Sequence, residues 1–341
     1  MTGQLPTHIN RPARPLLSRV AESAFWMSRY VERAEHVARV LTVNINSLLD
    51  VGDLDPQVEK QFWTGPLQIF LVDQQPEAQE ILASSRREDL ASRIAQFLVF
   101  DPDNPNSIYS CITRARENAR SMRESISAEM WENLNTMYWM IRGEDASGRF
   151  DESASDLLKQ VTNGSLLFQG LSDQTLGHNQ SWQFIQLGKS LERIDVTCRV
   201  IQSKFEVLHA VEESLENTER NMHLLSVVRS CCALESFRRT VGEIDADAIA
   251  AFLLLERAFP RSVCFCASHA HEAIRNIGQQ VDIAAAAQAS GAQSILGRLD
   301  ADLQYTSPPE IEGASLLPFL QKIQSATLEA TIAVKKSYFL Q

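Results

Sequence analysis

Glycine and proline are scarce in this chain, 14 and 12 among 341 residues, and aromatic side chains make up only 7%. So few breakers exclude a many-turned β architecture, in which each reversal calls for Gly, Pro, Asn or Asp. Runs of alternating β-branched residues are missing too. Long hydrophobic runs are also absent. The most apolar, AIAAFLLL (Ala248 to Leu255), stops at Glu256 and Arg257, well short of the roughly 20 residues a membrane-crossing helix needs.

Positive charge is not in excess. A formal net charge of -11, with no basic tail or charge block, argues against nucleic acid or an anionic membrane as the main partner. The opening MTGQLPTHINRPARPLLSRV lacks the apolar core and cleavage site of a secretory signal. Six cysteines without such a signal imply reduced thiols in a cytoplasm. Neither the P-loop nor the Rossmann glycine pattern occurs, nor a G-x-S-x-G elbow. No cofactor is expected.

What is present is helix periodicity. Apolar residues recur every three or four positions across Phe25 to Leu49, Ile112 to Met140, Leu187 to Val211 and Leu224 to Val241. Breaks fall at DQQPEAQ, FDPDNPNS, RGEDASGRFDESAS, FPRS and YTSPPEIEG. The expected fold is all-α, about ten helices packed as bundles.

Two segments recur. SRYVERAEHVARVL (Ser28 to Leu41) matches GKSLERIDVTCRVI (Gly188 to Ile201) at an offset of 160: Glu32 meets Glu192, Arg33 meets Arg193, Glu35 meets Asp195 and Arg39 meets Arg199. NPNSIYSCITRARENARSMR matches FPRSVCFCASHAHEAIRNIG at an offset of 155, bringing Pro105 to Pro260, Ser107 to Ser262, Glu117 to Glu272 and Arg120 to Arg275. Two matches in the same order indicate a tandem duplication of a helical unit of roughly 150–160 residues. The expected division is 1–150 and 151–341.

At 100° per residue, Tyr30, Val31, Ala34, Val37, Ala38 and Leu41 form the core face of the first repeated helix, and Arg29, Glu32, Glu35, His36 and Arg39 oppose them, with Arg33 at the edge. Such a face can be solvated and laced with weak i,i+4 pairs. It can also be a buried network, which cannot lose a partner cheaply, or the wall of a ligand pocket. The survival of charge type and order in both copies favours structural pairing of helices across the halves. The candidate Glu-Arg network is therefore Glu32, Arg33, Glu35, Arg39, Glu192, Arg193, Asp195 and Arg199.

A second candidate is an anion-binding cluster of Arg116, Glu117, Arg120 and Arg123, with Glu272 and Arg275 at the matched positions, since guanidiniums clamp carboxylates in bidentate fashion. No metal is expected. In CFCASHAH (Cys264 to His271), helical geometry puts Cys264 and His271 on one face and Cys266 and His269 on roughly the other, so the four ligands do not converge. The one Glu-x-x-His spacing, Glu206 to His209, is not repeated as a di-iron bundle would require.

FWMSRYVERAEHVARVL, RARENARSMRESISAEMWENLN and QFIQLGKSLERIDVTCRVI resemble the bacterial alpha-E family, an all-helical domain named for its Glu-Arg motif. The resemblance spans nearly the whole chain and puts that motif on Glu32-Arg33 and Glu192-Arg193. The second copy departs from the family's Arg-Glu-Asn-Ala-Arg segment, so two sites would not be equivalent. The resemblance implies an accessory, non-catalytic component of a peptide synthesis or modification system. Its implied partner is a circularly permuted ATP-grasp ligase or a transglutaminase-like protein, in a neighbourhood that also holds an Ntn-hydrolase-type peptidase. The other reading is an enzyme or substrate-binding subunit with a Glu/Arg site between the halves; for the arginine cluster, a peptide carboxylate or an acidic patch on a partner is the ligand that suits guanidinium chemistry.

Overall fold

The computed structural model describes residues 18–51, 56–84, 86–143, 145–211, 217–279 and 283–339; the opening segment to residue 17 lies outside them. Among the described residues there are fifteen α-helices and no strand. The first half holds α1 (Ser18–Val51), α2 (Pro56–Ile69), α3 (Pro76–Ser84), α4 (Arg87–Phe100), α5 (Ile108–Ser121), α6 (Ala128–Arg142), α7 (Ala146–Glu152) and α8 (Ala154–Thr175). The second holds α9 (Gln180–Val211), α10 (Asn217–Ser230), α11 (Leu234–Thr240), α12 (Ala246–Leu255), α13 (Val263–Gln279), α14 (Ile283–Tyr305) and α15 (Leu316–Val334).

The chain is more finely divided than its periodicity suggests. The apolar window Ile112 to Met140 is two helices, because Ser127 caps α6 by accepting from the Met130 N–H at 3.2 Å. The window Leu224 to Val241 breaks at Cys232, whose φ is 56°. The polar stretch RGEDASGRFDESAS contains α7, too short to display a period.

The two longest helices, α1 and α9, lie at the centre. α5 and α8 pack on α1, and α13 and α15 on α9, while α6 joins α5 to α8 and α14 joins α13 to α15. α2 crosses to pack on α9, and α10 crosses to pack on α1. α8, though it follows residue 150, rests on α1, α6 and α7. One hydrophobic cluster runs unbroken from Ala21 to Phe339, so both halves share a core.

Contacts between α1 and α9 advance in step. Ser28 faces Gly188, the Glu32-Arg33 pair faces Glu192-Arg193, and Asn44 faces Lys204, with 2.9 Å from Lys204 Nζ to Asn44 Oδ1. The helices therefore run parallel. Their close approach requires a glycine: a Cβ at Gly188 would collide with the Phe25 carbonyl and Ser28 Oγ.

Local geometry recurs at the same spacing. α1 to α6 and α8 are followed, 155–162 residues later, by α9 to α15 in order. α2 and α10 both end on a left-handed residue that is not glycine, Leu71 (φ 55°) and Cys232 (φ 56°). Each closes the same pair of bonds, Leu71 N to Gln68 O and Val72 N to Leu67 O, Cys232 N to Arg229 O and Ala233 N to Val228 O, the Schellman pattern of a helix C-terminus. Ser107 and Ser262 cap α5 and α13, each accepting at 3.1 Å from the N–H three residues on.

Candidate functional site

Glu32, Glu35 and Glu192 are 0% exposed. The face expected to be solvated or structural is thus enclosed: α1 is covered on both arcs, because α9 and the loop before α13 close over the charged side. A carboxylate in that position must be paired.

The pairing is reciprocal. Arg33 donates to Glu192 through Nε at 2.6 Å and Nη2 at 3.0 Å, and Arg193 donates to Glu32 through Nε at 2.6 Å and Nη2 at 3.2 Å. Both are fork-on-fork contacts, which combine directionality with charge. Each arginine then reaches the loop before a flanking helix, Arg33 Nη1 to Asn106 Oδ1 at 2.6 Å and Arg193 Nη1 to the Pro260 carbonyl at 3.2 Å.

Further groups complete the knot. Arg29 gives Nε to Glu192 at 2.7 Å and Nη1 to Thr331 at 3.2 Å, with its guanidinium over the Phe25 and Trp26 rings. Gln169 donates to Glu32 at 3.1 Å. Arg39 donates to Glu35 at 2.5 Å, and Arg199 donates to Asp195 and to the Ile69 carbonyl. Arg261 sets Nη2 2.7 and 2.6 Å from the two Glu35 oxygens, and Nη1 3.1 Å from Glu32. Arg29, three residues before Glu32, pairs across the helices rather than along its own.

Burial alone would raise the carboxyls. For Glu32 it is outweighed by Arg193 and then Arg261, for Glu35 by Arg261 and Arg39, and for Glu192 by Arg33 and Arg29. All three are held below the usual carboxylate range and stay ionised. Burial pushes the His36 imidazole down, so the ring is neutral at neutral pH. Its Nδ1 lies 2.8 Å from the Glu32 carbonyl, which can only accept, so that nitrogen carries the proton.

Glu32, Glu35 and His36 bring possible metal-ligand atoms within 4.8 Å of one another. Their carboxylate oxygens are occupied by Arg193, Arg261 and Arg39, and a divalent cation there would meet three fixed positive charges. The group fits a guanidinium lattice and does not fit a metal centre.

On one side the knot forms the wall of a cleft of about 750 Å3. Trp26, Arg29 and Arg33 of α1 line it, facing Gln68 at the end of α2 and Leu71 and Asp73 of the turn that follows. α9 contributes Asp195 to Glu206, and α15 contributes Gln321 to Thr331. The volume falls within the range of ligand sites. Four glutamines and four serine or threonine hydroxyls lie among the charged groups, and Leu71 and Leu328, 66% and 61% exposed, add apolar surface.

Residues 16–339 match a family described as a predicted alpha-helical domain with a conserved ER motif. The chain belongs to the Alpha-E family. Its curated relatives include the uncharacterised protein Mb2597 of Mycobacterium bovis and the uncharacterised proteins MT2643 and Rv2567 of Mycobacterium tuberculosis. Each is 21% identical over 310 residues, covering 87% of this chain and 33% of the relative. The chain thus spans about a third of the length of these relatives. No solved structure matches it.

The second cluster expected for this Alpha-E chain does not assemble as one site. Arg116, Glu117, Arg120 and Arg123 lie on or just after α5, whereas Glu272 and Arg275 are exposed on α13, and among the described residues no hydrogen bond or ion pair joins the two sets. Arg116 donates to Asn135 at 2.6 Å and stacks on Tyr138 and Trp131. Arg120 pairs with Glu117 at 2.7 Å in the open. In CFCASHAH the side chains go separate ways: Cys266 to the Pro260 carbonyl, His269 to the Phe265 carbonyl and His271 to Asp300. Glu206 lines the cleft; the side chain of His209 lies outside the described residues.

Sequence reasoning passed over Arg261, Asn106 and Gln169 as site residues. Arg261 had a visible signal: in the matched quartets NPNS and FPRS it is the one charged residue, opposite Asn106. Gln169 had none, because nothing local ties a glutamine on α8 to a carboxylate on α1.

Among the described residues no helix is long and apolar enough to cross a bilayer.

Proposed function

We propose that this Alpha-E chain is a non-catalytic, peptide-binding component of a bacterial peptide synthesis or modification system, presenting bound peptide to an ATP-grasp-type ligase or a transglutaminase-like partner in the cytoplasm. One observation carries the reading. The buried Glu-Arg knot is held by reciprocal ion pairs between α1 and α9, and it forms a wall of the cleft of about 750 Å3. A site whose side chains are already fixed by ion pairs needs little ordering when a ligand arrives.

The lining suits a peptide. Gln68, Gln202, Gln321 and Gln324 each offer a donor and an acceptor, as main-chain amides require, and Trp26, Leu71 and Leu328 offer apolar contact. The partner's identity rests on the family resemblance. It is supported by the length of the relatives, in which a region like this chain is joined to twice as much further sequence. The same reading takes the two halves as copies of one helical unit, divided between α8 and α9. The paired left-handed residues and the parallel α1–α9 contacts support it.

The test is capture of a random, acetylated and amidated hexapeptide library on the immobilised chain, with Ser325→Trp as comparison. Ser325 is exposed and lines the cleft, so the indole fills it without touching the core. Peptide capture that falls at least tenfold in the variant supports the site; equal capture overturns it. In parallel, affinity capture from native extract identifies the partner, and recovery of neither enzyme class overturns that part.

A further inference from the structure

The two halves treat one position differently. Glu35 on α1 and Asp195 on α9 stand 160 residues apart at matching places, each with an arginine four residues on. At Glu35 a third group arrives: the Arg261 guanidinium, from the loop before α13, contacts both carboxylate oxygens and Glu32 as well, and is 7% exposed. At Asp195 no such group arrives among the described residues. The corresponding loop before α5 carries Asn106 instead, whose oxygen is taken by Arg33 and whose amide nitrogen donates to the Phe70 carbonyl at 2.8 Å. Asp195 is also one methylene shorter than Glu35, and its side chain is 25% exposed on the cleft.

The charge left over in the cleft is negative. Arg29 and Arg33 are committed to Glu192, and Arg199 to Asp195 and the Ile69 carbonyl. Among the described residues, the side chains of Asp73 and Glu206, also on the cleft wall, have only amide partners, Gln74 at 2.8 Å and Gln202 at 3.0 Å. The buried Arg199 Nε has no partner, but neither has Arg39 Nε in the half that Arg261 fills, so that feature accompanies a seated guanidinium.

We infer that the cleft recognises a guanidinium, the side chain of an arginine in the bound peptide, which docks on Asp195 as Arg261 docks on Glu35. The chain then has one site open to ligand and one plugged by its own arginine. At Glu35 one nitrogen of the guanidinium meets both oxygens while the other lies 3.1 Å from Glu32, a two-carboxylate reach that a planar fork provides and a single ammonium does not. This rests on the peptide-binding reading of the cleft and adds the residue it selects.

The experiment uses the same immobilised chain and a hexapeptide library in which arginine, its neutral isostere citrulline, and lysine are equally frequent. Mass spectrometry of the captured pool should show arginine enriched at least tenfold over citrulline and severalfold over lysine. The preference should disappear in Asp195→Asn, and Asn106→Arg should reduce capture of arginine peptides at least tenfold by plugging the open site. Should Asn106→Arg misfold by circular dichroism, Asp73→Asn with Glu206→Gln should lower the arginine preference severalfold. Arginine and citrulline captured alike overturn the guanidinium inference while the peptide site stands. Arginine and lysine enriched alike, unchanged in Asp195→Asn, also overturn it, as general attraction to an acidic protein. Absence of any capture overturns both readings.

Discussion

Glu192→Gln replaces a buried carboxylate with an amide of nearly the same shape. The wild-type carboxylate accepts from Arg33 at 2.6 and 3.0 Å and from Arg29 at 2.7 Å, with no exposure to water. Glutamine keeps one acceptor oxygen and turns an NH2 donor toward a guanidinium donor, so one side of the site becomes unpaired. Two buried guanidiniums then share a neutral partner. Removing one member of such a pair costs about 3–5 kcal/mol, a large part of a typical total stability of about 5–15 kcal/mol. The control is Glu117→Gln, whose partner Arg120 is 69% exposed; exposed pairs contribute about 0–1 kcal/mol at most. Urea denaturation followed by circular dichroism at pH 7 reads both, with the slope unchanged if only native-state pairing is lost. The pH dependence adds a second reading. Glu32, Glu35 and Glu192 have folded pKa values below their unfolded ones, so their contribution is complete above the ordinary carboxylate range and is lost as pH falls below it. Glu192→Gln should therefore flatten the acid limb of the stability profile. A loss under about 1 kcal/mol, or an unchanged acid limb, refutes the reasoning that the knot is a buried, mutually dependent network.

Lys204 is fully buried against Asn44 and the Phe62 ring, and burial pushes its ammonium down to about 7. A base with a depressed folded pKa destabilises most below that value, so Lys204 should make stability rise with pH from about 7 until the ordinary thiol range at about 8.5, where the buried thiols, raised on folding, begin to oppose it. Lys204→Met should remove that slope and, after about 1–3 kcal/mol for the orphaned Asn44 oxygen, still stabilise at pH 6; denaturant midpoints across pH 6–10 decide. Gly188→Ala should cost about 1–3 kcal/mol or more, because α1 and α9 must separate to admit one methyl. A midpoint unchanged from wild type would contradict the close parallel crossing. Of six free cysteines only Cys232 is exposed, and burial pushes the Cys111 and Cys231 thiols up to about 12 and Cys266 to about 11. Iodoacetamide should label one thiol per native chain, as intact-mass measurement reads directly; rapid labelling of two or more would refute the burial of the others.

Much of this protein is determined locally and was legible in the chain alone. Helical class follows from scarce glycine and proline together with apolar spacing of three and four, properties a short window already contains. The two Glu-Arg helices and the order of their charges are likewise written in Ser28 to Leu41 and Gly188 to Ile201. Helix breaks were partly legible: proline and capping serines announced the loops before α5 and α13, whereas the left-handed residues at Leu71 and Cys232 carry no glycine to mark them. What only the tertiary structure decided is which partner each charge takes. Arg29 is three residues from Glu32 in sequence and bonds Glu192 instead, because the parallel packing of α1 on α9 brings that carboxylate nearer. Arg261 reaches Glu35 across 226 residues, whereas Asn106, at the matched place in the sequence, bonds Arg33 and the Phe70 carbonyl. Distances of that kind are set by how whole helices pack, and no local pattern encodes them.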